Sequence, residues 1–534
     1  MRLKVNNVRS GLLDERPLAE LAARKLGLQP QNIINLQIVR RAVDARRKNN
    51  IVLNYHLVCE VELSKKQLGR LLQDKDISTA AAVAAPEPEL GSEKLTGRPL
   101  VIGAGPAGLL AALELAAYGY APLLLERGKP VAQRVVDVQR FWQQGIFDPA
   151  SNVQFGEGGA GTFSDGKLTT RVNDPVMNVI LQAFVDAGAP PEILYEQKPH
   201  VGTDKLRVMV SGLTKKITTL GGDIRYNAQV TDLLTSDGQT TGVVLAGGEK
   251  ISSNAVVLAC GHSARDTYEL LQRLGVGLEA KPFAIGVRIE HPQELIDKAQ
   301  YGAFAGHPRL GVADYALVHH TPDRSRTAYS FCMCPGGIVV AAASEAGGVV
   351  VNGMSMYRRD SGVANSALVV NVGPADFGSD PLAGVAFQRR YEQLAFAAGD
   401  SGYQAPAQNV GSFLHGLQPE LNGSVVPTYR PGLRPCDLRQ VLPAFVTDTL
   451  QAGISAFADK IHGFADSGAV LTGVETRTSA PLRIVRGSDD KVSVTHRGLY
   501  PCGEGAGYAG GIMSAALDGY HVARAIMKKF APFC

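Results

Sequence analysis

The chain has 534 residues, of which 54 are Lys or Arg and 50 are Asp or Glu, giving a formal net charge of +4. This length exceeds one ordinary hydrophobic core, and a composition of 45% hydrophobic and 19% charged residues excludes a disordered or fibrous chain. The seven cysteines are scattered and odd in number, which excludes a small disulfide-stapled domain and favours a reducing, cytoplasmic setting.

Residues 1–73 predict a small basic α+β domain, with 14 Lys or Arg against 6 Asp or Glu. MRLKVNNVR is strand-like, and Pro17 opens a run with helical spacing. INLQIVRRAVDA and NNIVLNYHLVCEVE predict two strands joined by a polar turn. A second helix starts after Ser64, a suitable N-cap. The βαββα order favours a ferredoxin-like sandwich.

The segment RRAVDARRKNN carries five basic residues, Arg40, Arg41, Arg46, Arg47 and Lys48. One interpretation is an electrostatic patch for RNA or for an acidic electron-transfer partner. The other is a solvated hairpin tip.

Residues 74–99 are rich in small residues and proline, which predicts a linker. A large α/β unit then covers 100–274, an irregular Gly- and Pro-rich stretch over 275–480 predicts an inserted domain, and 481–534 returns to the first unit. The apolar run 100–126 resembles a membrane span, but its glycines, proline and Glu114 favour a strand–turn–helix–strand unit instead. No membrane association is expected.

The run PLVIGAGPAGLLAALELAAYGYAPLLLERG contains a dinucleotide-binding fingerprint. Gly103, Gly105 and Gly108 form GxGxxG between a buried strand and a helix. Gly103 allows the tight turn, Gly105 lets the pyrophosphate approach the backbone, and Gly108 lets the helix pack closely on the strand. Glu126 ends the next strand, where a carboxylate accepts hydrogen bonds from a ribose 2′-OH and disfavours a 2′-phosphate. The sequence therefore predicts a bound dinucleotide other than NADP.

A second glycine cluster, GLYPCGEGAGYAGG at 498–511, directly precedes an amphipathic run. A long cofactor that spans two parts of the fold explains a late cluster better than NAD does. This layout resembles flavoproteins with the glutathione-reductase-type FAD fold, in which a late Gly-acid motif contacts the ribityl chain. Those proteins usually have Asp where this chain has Glu504, whose side chain is longer by one methylene group.

The resemblance implies a set of FAD-binding positions in this chain. The helix after the late cluster would point its N-terminus at the flavin and stabilise negative charge there. Val230 would contact adenine through its backbone, and Gly261 would pass close to the pyrophosphate. The full expected set comprises Gly103, Gly105, Pro106, Ala107, Gly108, Glu126, Arg127, Gly159, Val230, Gly261, Gly503, Glu504, Gly510, Gly511 and Ile512.

Three further stretches carry a closer resemblance: SNVQFGEGGAGTFSDGKLTTR, NAVVLACGHSARDTYELL and SFCMCPGGIVVAAASEAGGVVVNGMSMYRR. With RRAVDARRKNN they resemble the family of predicted FAD-dependent dehydrogenases with a small N-terminal α+β domain. The likeness covers nearly the whole chain. It implies an α/β fold in which a Rossmann-type FAD-binding domain carries an inserted α+β domain and a ferredoxin-like N-terminal domain.

The candidate catalytic residues are Lys167, His262, Cys332 and Cys334. Lys167 lies in a glycine-rich loop and is either a flavin contact or a solvated lysine. Cys332 and Cys334 form CxC, which is either a redox pair or two small residues on one face of a strand. His262 is either a proton donor or a loop histidine with a structural hydrogen bond. Cys502 precedes the Gly–Glu turn and favours a buried thiol, and no metal-ligand spacing is present.

Two functions follow from these features. The first is an FAD-dependent oxidoreductase that moves a hydride through flavin N5 and holds its substrate in the 275–480 domain. Outside the glycine-rich stretches described above, no GxGxxG is visible for a dedicated NAD(P)H domain, so its electrons come from transient NAD(P)H or from a redox partner protein. The alternative is a flavoprotein that binds or modifies RNA through residues 1–73.

Overall fold

The N-terminal part of the chain folds into one antiparallel sheet with two helices. A computed structural model describes residues 1–80, 86–423 and 425–533. The first elements are β1 (Arg2–Gly11), α1 (Leu18–Leu26), β2 (Ile34–Asp44), β3 (Val52–Glu60), α2 (Lys65–Leu71) and β4 (Ile77–Thr79). Their order in the sheet is β2-β3-β1-β4, with every neighbouring pair antiparallel. This βαββαβ arrangement confirms the predicted ferredoxin-like class.

The expected linker differs from the structure at its beginning. Residues Ile77–Thr79, predicted to be irregular, form β4, in which Ile77 pairs with Val5 of β1. A strand of three residues is too short to show an alternating pattern, so the sequence gives no sign of it. Residues 81–85 of the expected linker lie outside the described residues. The predicted N-cap Ser64 is present and forms a capping box with Gln67.

The α/β unit begins at Leu100. Its elements are β5 (Leu100–Ile102), α3 (Pro106–Ala117), β6 (Leu123–Leu125), α4 (Val131–Gln144), α5 (Met177–Asp186), α6 (Thr203–Thr219), β7 (Asp223–Arg225), β8 (Val230–Ser236), β9 (Gln239–Leu245), β10 (Lys250–Ser252), β11 (Val256–Leu258) and α7 (Arg265–Arg273). The strand–turn–helix–strand unit predicted over residues 100–126 is confirmed as β5, α3 and β6.

The third part is dominated by strands. Its elements are β12 (Leu278–Ala280), β13 (Phe283–Pro292), α8 (Gln293–Tyr301), β14 (Val318–His320), β15 (Thr327–Cys334), β16 (Ile338–Ala341), β17 (Val351–Met354), β18 (Val363–Val372), α9 (Pro374–Phe377), α10 (Ala383–Ala398), β19 (Ala405–Asn409), α11 (Val410–His415), β20 (Leu433–Pro435), α12 (Ala444–Ala458) and β21 (Val470–Glu475). The chain continues with β22 (Leu482–Ile484), β23 (Leu499–Pro501) and α13 (Ile512–Lys529).

Two large sheets organise these elements. The first is parallel, with the order β7-β6-β5-β11-β23, as in a Rossmann-type fold. The second has the order β14-β15-β18-β13-β21-β19-β20 and is antiparallel except for β19 and β20. The chain leaves the first sheet along β12 and returns along β22, and these two strands pair antiparallel. The predicted α/β fold class is therefore confirmed.

The N-terminal sheet is attached to both large units. The main chain of Arg41 in β2 exchanges hydrogen bonds with Tyr195 and Gln197 of the α/β unit. The guanidinium of Arg309, in the third part, donates to main-chain carbonyls of Gly11, Leu12 and Asp14 at 2.9–3.0 Å. The N-terminal domain therefore spans the two other units as a bridge.

Helices α3 and α13 pack at close range because glycine replaces a side chain between them. A Cβ atom at Gly519 would lie 2.0 Å from the carbonyl oxygen of Ala107, whereas one at Gly247 would meet no atom within 4 Å. We expect Gly519→Ala to lower the free energy of unfolding by about 1–3 kcal/mol, although alanine favours helices. Urea unfolding would measure this, with Gly247→Ala as the matched control. Equal midpoints for the two variants would contradict the packing argument.

Candidate functional site

The carboxyl ends of three parallel strands meet at the edge of the first sheet. Gly103 follows β5, Glu126 follows β6, and Gly261 lies just after β11. Because β6 and β11 lie on opposite sides of β5, the crevice between their ends is the topological switch point at which α/β sheets bind ligands. A cavity opens there, which we call the inner cleft; all three residues line it.

The three fingerprint glycines have different roles. A Cβ at Gly103 would lie 2.4 Å from the carbonyl oxygen of Ala259, and one at Gly108 only 1.9 Å from that of Gly103. These two glycines are required by the protein's own packing. Gly105 has an extended backbone, and a Cβ there would meet nothing closer than Gly159 at 3.9 Å. Its side-chain position therefore belongs to the cleft, which is what a closely approaching cofactor requires.

Most of the residues predicted to bind the cofactor line the inner cleft. Those that do are Gly103, Gly105, Pro106, Ala107, Glu126, Arg127, Gly159, Val230, Gly261, Glu504, Gly510, Gly511 and Ile512. The lining does not include Gly108 or Gly503, both of which lie in the part of the chain that the structure describes. The amide of Gly503 donates to Asp518 at 2.7 Å, so this glycine supports the turn instead of facing the cavity.

The carboxylate of Glu126 builds the cleft as well as lining it. It is buried and accepts hydrogen bonds from the amides of Ala104 and Gly128, both at 2.8 Å, and of Gly156 at 3.1 Å. One side chain thus joins the fingerprint turn, the end of β6 and the glycine-rich loop. Its contact with a ribose stays a prediction. The neighbouring Arg127 stacks over the ring of Phe155, with 4.4 Å between guanidinium carbon and ring centroid.

The glycine-rich loop at 151–171 is held by a residue that the sequence did not single out. Arg134 on α4 is fully buried and donates to the carbonyls of Asn152, Val153, Gly156 and Glu157 at 2.7–3.2 Å. Burial lowers its pKa to about 9, against the opposing charges of two glutamates, so the guanidinium stays protonated at neutral pH. The loop is therefore tied to α4 and forms a fixed wall of the cleft.

The beginning of α13 forms the opposite wall. Gly511 has a left-handed φ of 134°, and a Cβ at Gly510 or Gly511 would meet no atom within 4 Å. The unpaired N–H groups and the positive end of an 18-residue helix therefore lie at the cleft. Burial raises the pKa of Glu504, which lines the same wall, to about 7. Among the described residues, no protein donor forms a hydrogen bond with its carboxylate.

Two buried polar groups in the inner cleft were not predicted. Arg477 and Gln154 are 6% and 5% exposed, and the Nη1 atom of the first and the Oε1 atom of the second have no partner. The other two guanidinium nitrogens of Arg477 bind Glu392 at 2.7 and 3.0 Å. Buried polar groups normally have hydrogen-bond partners, so both atoms are candidate contacts for a ligand. A single inward-facing arginine or glutamine leaves no periodic signal in the sequence.

The four candidate catalytic residues also line the inner cleft. The ammonium of Lys167 donates to the carbonyl of Met333 and lies 3.9 Å from Asp165. His262 has its Nδ1 atom 2.9 Å from the Ser263 hydroxyl. Burial, with the charges of Arg477 and Arg265, lowers the pKa of His262 to about 3, so the ring is neutral at physiological pH. This matches the structural hydrogen bond and disfavours a cationic proton donor.

The two cysteines of the CxC motif do not share a face of a strand, which corrects one prediction. The pairing of β15 with β18 shifts register between Phe331 and Cys334, and Cys332 has a left-handed φ of 40°. As a result Cys332 is exposed whereas Cys334 is buried. Both are free thiols, and burial raises the pKa of Cys334. Their redox activity stays a prediction. Cys502 is a buried free thiol, as expected.

A second and larger cavity, which we call the outer cleft, opens into the inner one. It has a volume of about 1970 Å³ and lies between the N-terminal sheet, residues 167–200 and residues 300–333. Five residues line both cavities: Lys167, Phe331, Cys332, Gly510 and Gly511. A ligand in the outer cleft therefore reaches the same helix N-terminus as a ligand in the inner one.

The basic segment near residue 40 is divided between two environments. Arg40 and Arg41 line the outer cleft, where Arg41 pairs with Glu196 at 2.5 Å. Arg46, Arg47 and Lys48 are exposed at the hairpin tip. RNA or protein binding by these residues stays a prediction.

Two features are absent from the part of the chain that the structure describes. No helix is long and apolar enough to cross a membrane. Residues 1–80, 86–423 and 425–533 contain no group of three or more His, Cys, Asp or Glu side chains arranged to hold a metal ion.

Comparison with known proteins gives family matches along most of the chain. Residues 282–478 match a family described as FAD-dependent protein, C-terminal domain-like, and residues 98–273 match pyridine nucleotide-disulphide oxidoreductase. Residues 3–60 match a domain of unknown function. A Clostridium beijerinckii protein named "Uncharacterized protein" is 48% identical over 532 residues, which is 99% of each chain.

Solved structures give weaker likenesses. Glycine oxidase from Bacillus cereus is 11% identical, with a TM-score of 0.36 over 81% of this chain and 95% of the oxidase. The fructosyl amine:oxygen oxidoreductase Amadoriase I from Aspergillus fumigatus is 12% identical, with a TM-score of 0.35 over 83% and 88% of the two chains. Likenesses at this level carry no argument about substrate.

A substitution at Gly105 separates cofactor binding from folding. We expect Gly105→Val to weaken FAD binding about tenfold or more, because its methyl groups would occupy the cleft. Thermal unfolding of the cofactor-free protein should change little. Gly108→Val is the control, because its Cβ would clash with the main chain and destabilise the protein itself. Wild-type FAD affinity in Gly105→Val would contradict this view of the cleft.

Glu504 should make the stability of the cofactor-free protein depend on pH. Its folded-state pKa of about 7 exceeds the value of about 4.3 for an unfolded glutamate, so the folded state binds more protons between these values. Stability should therefore fall as the pH rises from about 4.3 to 7. We expect Glu504→Gln to unfold at higher urea than the wild type at pH 8, with the difference shrinking toward pH 5. The exposed Glu279→Gln is the control, and parallel pH profiles for Glu504→Gln and wild type would refute the expectation.

Proposed function

Because the chain belongs to a family of FAD-dependent oxidoreductases, we propose that it binds FAD in the inner cleft and exchanges a hydride with a substrate held in the outer cleft. In this arrangement the cofactor lies in the inner cleft and the substrate approaches it from the outer cleft. This arrangement also widens the predicted substrate site, because the outer cleft is lined by all three units of the fold and not by the 275–480 segment alone.

The observation that carries the proposal is a row of bare glycines along the inner cleft. Gly105, Gly261, Gly510 and Gly511 all line the cavity, and no Cβ built on them would meet a protein atom closer than 3.9 Å. Gly105 at the fingerprint turn and Gly261 after β11 lie on one wall of the crevice. Gly510 and Gly511, at the start of α13, lie on the other wall. Main chain exposed on both walls supports a long cofactor that touches the backbone at several points.

The chain's own groups would bind and orient the cofactor. When bound, FAD supplies a redox centre that accepts or releases a hydride at N5. The helix N-terminus at Gly511 offers N–H groups and a positive potential to negative charge. Glu504 and the unpartnered oxygen of Gln154 offer acceptors for hydroxyl or ring N–H groups, and Arg477 offers a donor. Lys167 stands where the two clefts meet, so its ammonium can contact a ligand in either.

The outer cleft suggests how electrons arrive. No GxGxxG outside the glycine-rich stretches of the inner cleft is visible for a dedicated NAD(P)H domain, so the outer cleft is where NAD(P)H would bind transiently as a hydride donor. Bound in this way, the nicotinamide needs no Rossmann domain of its own. A redox partner protein is the alternative donor.

An anaerobic titration of the purified protein with NADPH and then NADH would test the proposal. We expect a flavin band near ~450 nm that bleaches with at least one nicotinamide, because that band belongs to the oxidised cofactor. Absence of the band after incubation with FAD and removal of unbound FAD by gel filtration would refute FAD binding. A band that is bleached by dithionite but by neither nicotinamide would refute NAD(P)H as the donor and favour a redox protein. The Gly105→Val variant, which should retain less FAD after gel filtration, is the matched control.

A further inference from the structure

The N-terminal domain forms the roof of the outer cleft with the polar face of its sheet. In β1, Leu3 and Val5 are fully buried in the domain's own core. Because side chains alternate along a strand, Lys4 and Asn6 lie on the opposite face, and both line the outer cleft. His56 of β3 lines it too, between the buried Tyr55 and Leu57.

Positive charge is concentrated on this roof. Arg40 of β2 is directly opposite His56 in the strand register. Burial and the charges of Arg40 and Lys4 together lower the pKa of His56. A bound anion would offset the effect of these two cations on the pKa of His56.

Cations outnumber carboxylates in the lining of the outer cleft, although Asp165 and Asp360 from outside the lining pair with Lys167, Arg359 and Arg358. Nine Lys and Arg side chains line the cavity, against four Asp and Glu side chains. Glu196 and Asp314 are already paired with Arg41 and Lys198. Among the residues that the structure describes, Lys4 on the roof and Arg171 on the opposite wall form no ion pair. An anion is the ligand that these charges would bind.

Size and position narrow the class of ligand. A volume of about 1970 Å³ exceeds the roughly 300–1,000 Å³ typical of small-molecule pockets. Lys4 belongs to the N-terminal sheet and Arg171 to the α/β unit, and a ligand with charge at more than one point can contact both. Guanidinium groups match phosphate oxygens in planar, two-point hydrogen bonds.

We propose that the outer cleft is a polyphosphate site, built jointly by the N-terminal domain and residues 167–173, for a substrate with more than one phosphate group. The inference rests on the proposed function, because the uncharged end of such a substrate would reach the flavin past Lys167 and Gly511. The N-terminal domain is then a wall of the active site and not a separate module.

Binding of sodium tripolyphosphate to the FAD-loaded, full-length protein would test this site by calorimetry. We expect binding at low ionic strength that weakens as salt is added. Lys4→Gln and Arg171→Gln should each weaken it by roughly tenfold, because each loses a charge-assisted contact. Neither side chain bonds to another described residue, so neither variant should disturb folding. Arg47→Gln, on the exposed tip of the same domain, is the matched control and should bind as the wild type does.

The inference would be overturned if the wild type did not bind tripolyphosphate at low salt. It would also be overturned if Arg47→Gln lost as much affinity as the other two variants, or if citrate bound as tightly as tripolyphosphate. A second measurement is the pKa of His56, assigned by comparison with His56→Asn, which should rise when tripolyphosphate binds; an unchanged value would also count against the site. The flavin band is read in every sample, and its loss would refute the proposed function and not this site.

Discussion

The buried guanidinium of Arg134 is the interaction on which the shape of the inner cleft depends. It replaces its lost hydration with four main-chain carbonyls of a loop that has little side-chain bulk of its own. A neutral substitute of similar size would leave those carbonyls unpaired inside the protein, at a cost of about 1–3 kcal/mol for each. Glu126 completes the arrangement from the other side through the amide of Gly156. This loop is therefore held in one position although it is rich in glycine.

A second buried cluster joins the two large units beside the same cavity. Glu392 of α10 accepts hydrogen bonds from Arg265 of α7 and from Arg477. Although burial opposes ionisation, the two guanidinium groups lower the pKa of Glu392 to about 2. Removing Glu392 would take away the carboxylate that both buried guanidinium groups bind. The orientation of Arg477 toward the inner cleft therefore depends on contact between the units, so this part of the cleft forms only in the assembled chain.

Local patterns predicted much of this structure, and long-range contacts explain what they missed. The βαβ unit, the hairpin near residue 48 and the late return to the parallel sheet each leave a signal of period, turn chemistry or glycine spacing. Strand β4 has only three residues and shows no such signal. Arg134, Gln154 and Arg477 look like any solvated side chain until tertiary structure buries them. The turn at Gly503 was predicted from its glycines, but the sequence does not show which of them faces the cavity. That depends on the hydrogen bond from Gly503 to Asp518, fifteen positions along the chain.

Pairing of β12 with β22 has a consequence for how the protein comes to be folded. The parallel sheet needs β23 beside β11, although roughly 240 residues separate them, and closing so long a loop costs entropy and time. The β12–β22 pair holds the exit and the return of the intervening sheet side by side, so that the sheet can fold as a closed unit before β23 docks. During synthesis, the four strands β7-β6-β5-β11 have one unpaired edge until that unit is complete. The inner cleft is therefore complete only after translation has passed β23, and a chain stalled earlier would carry the fingerprint without the wall that Gly510 and Gly511 supply.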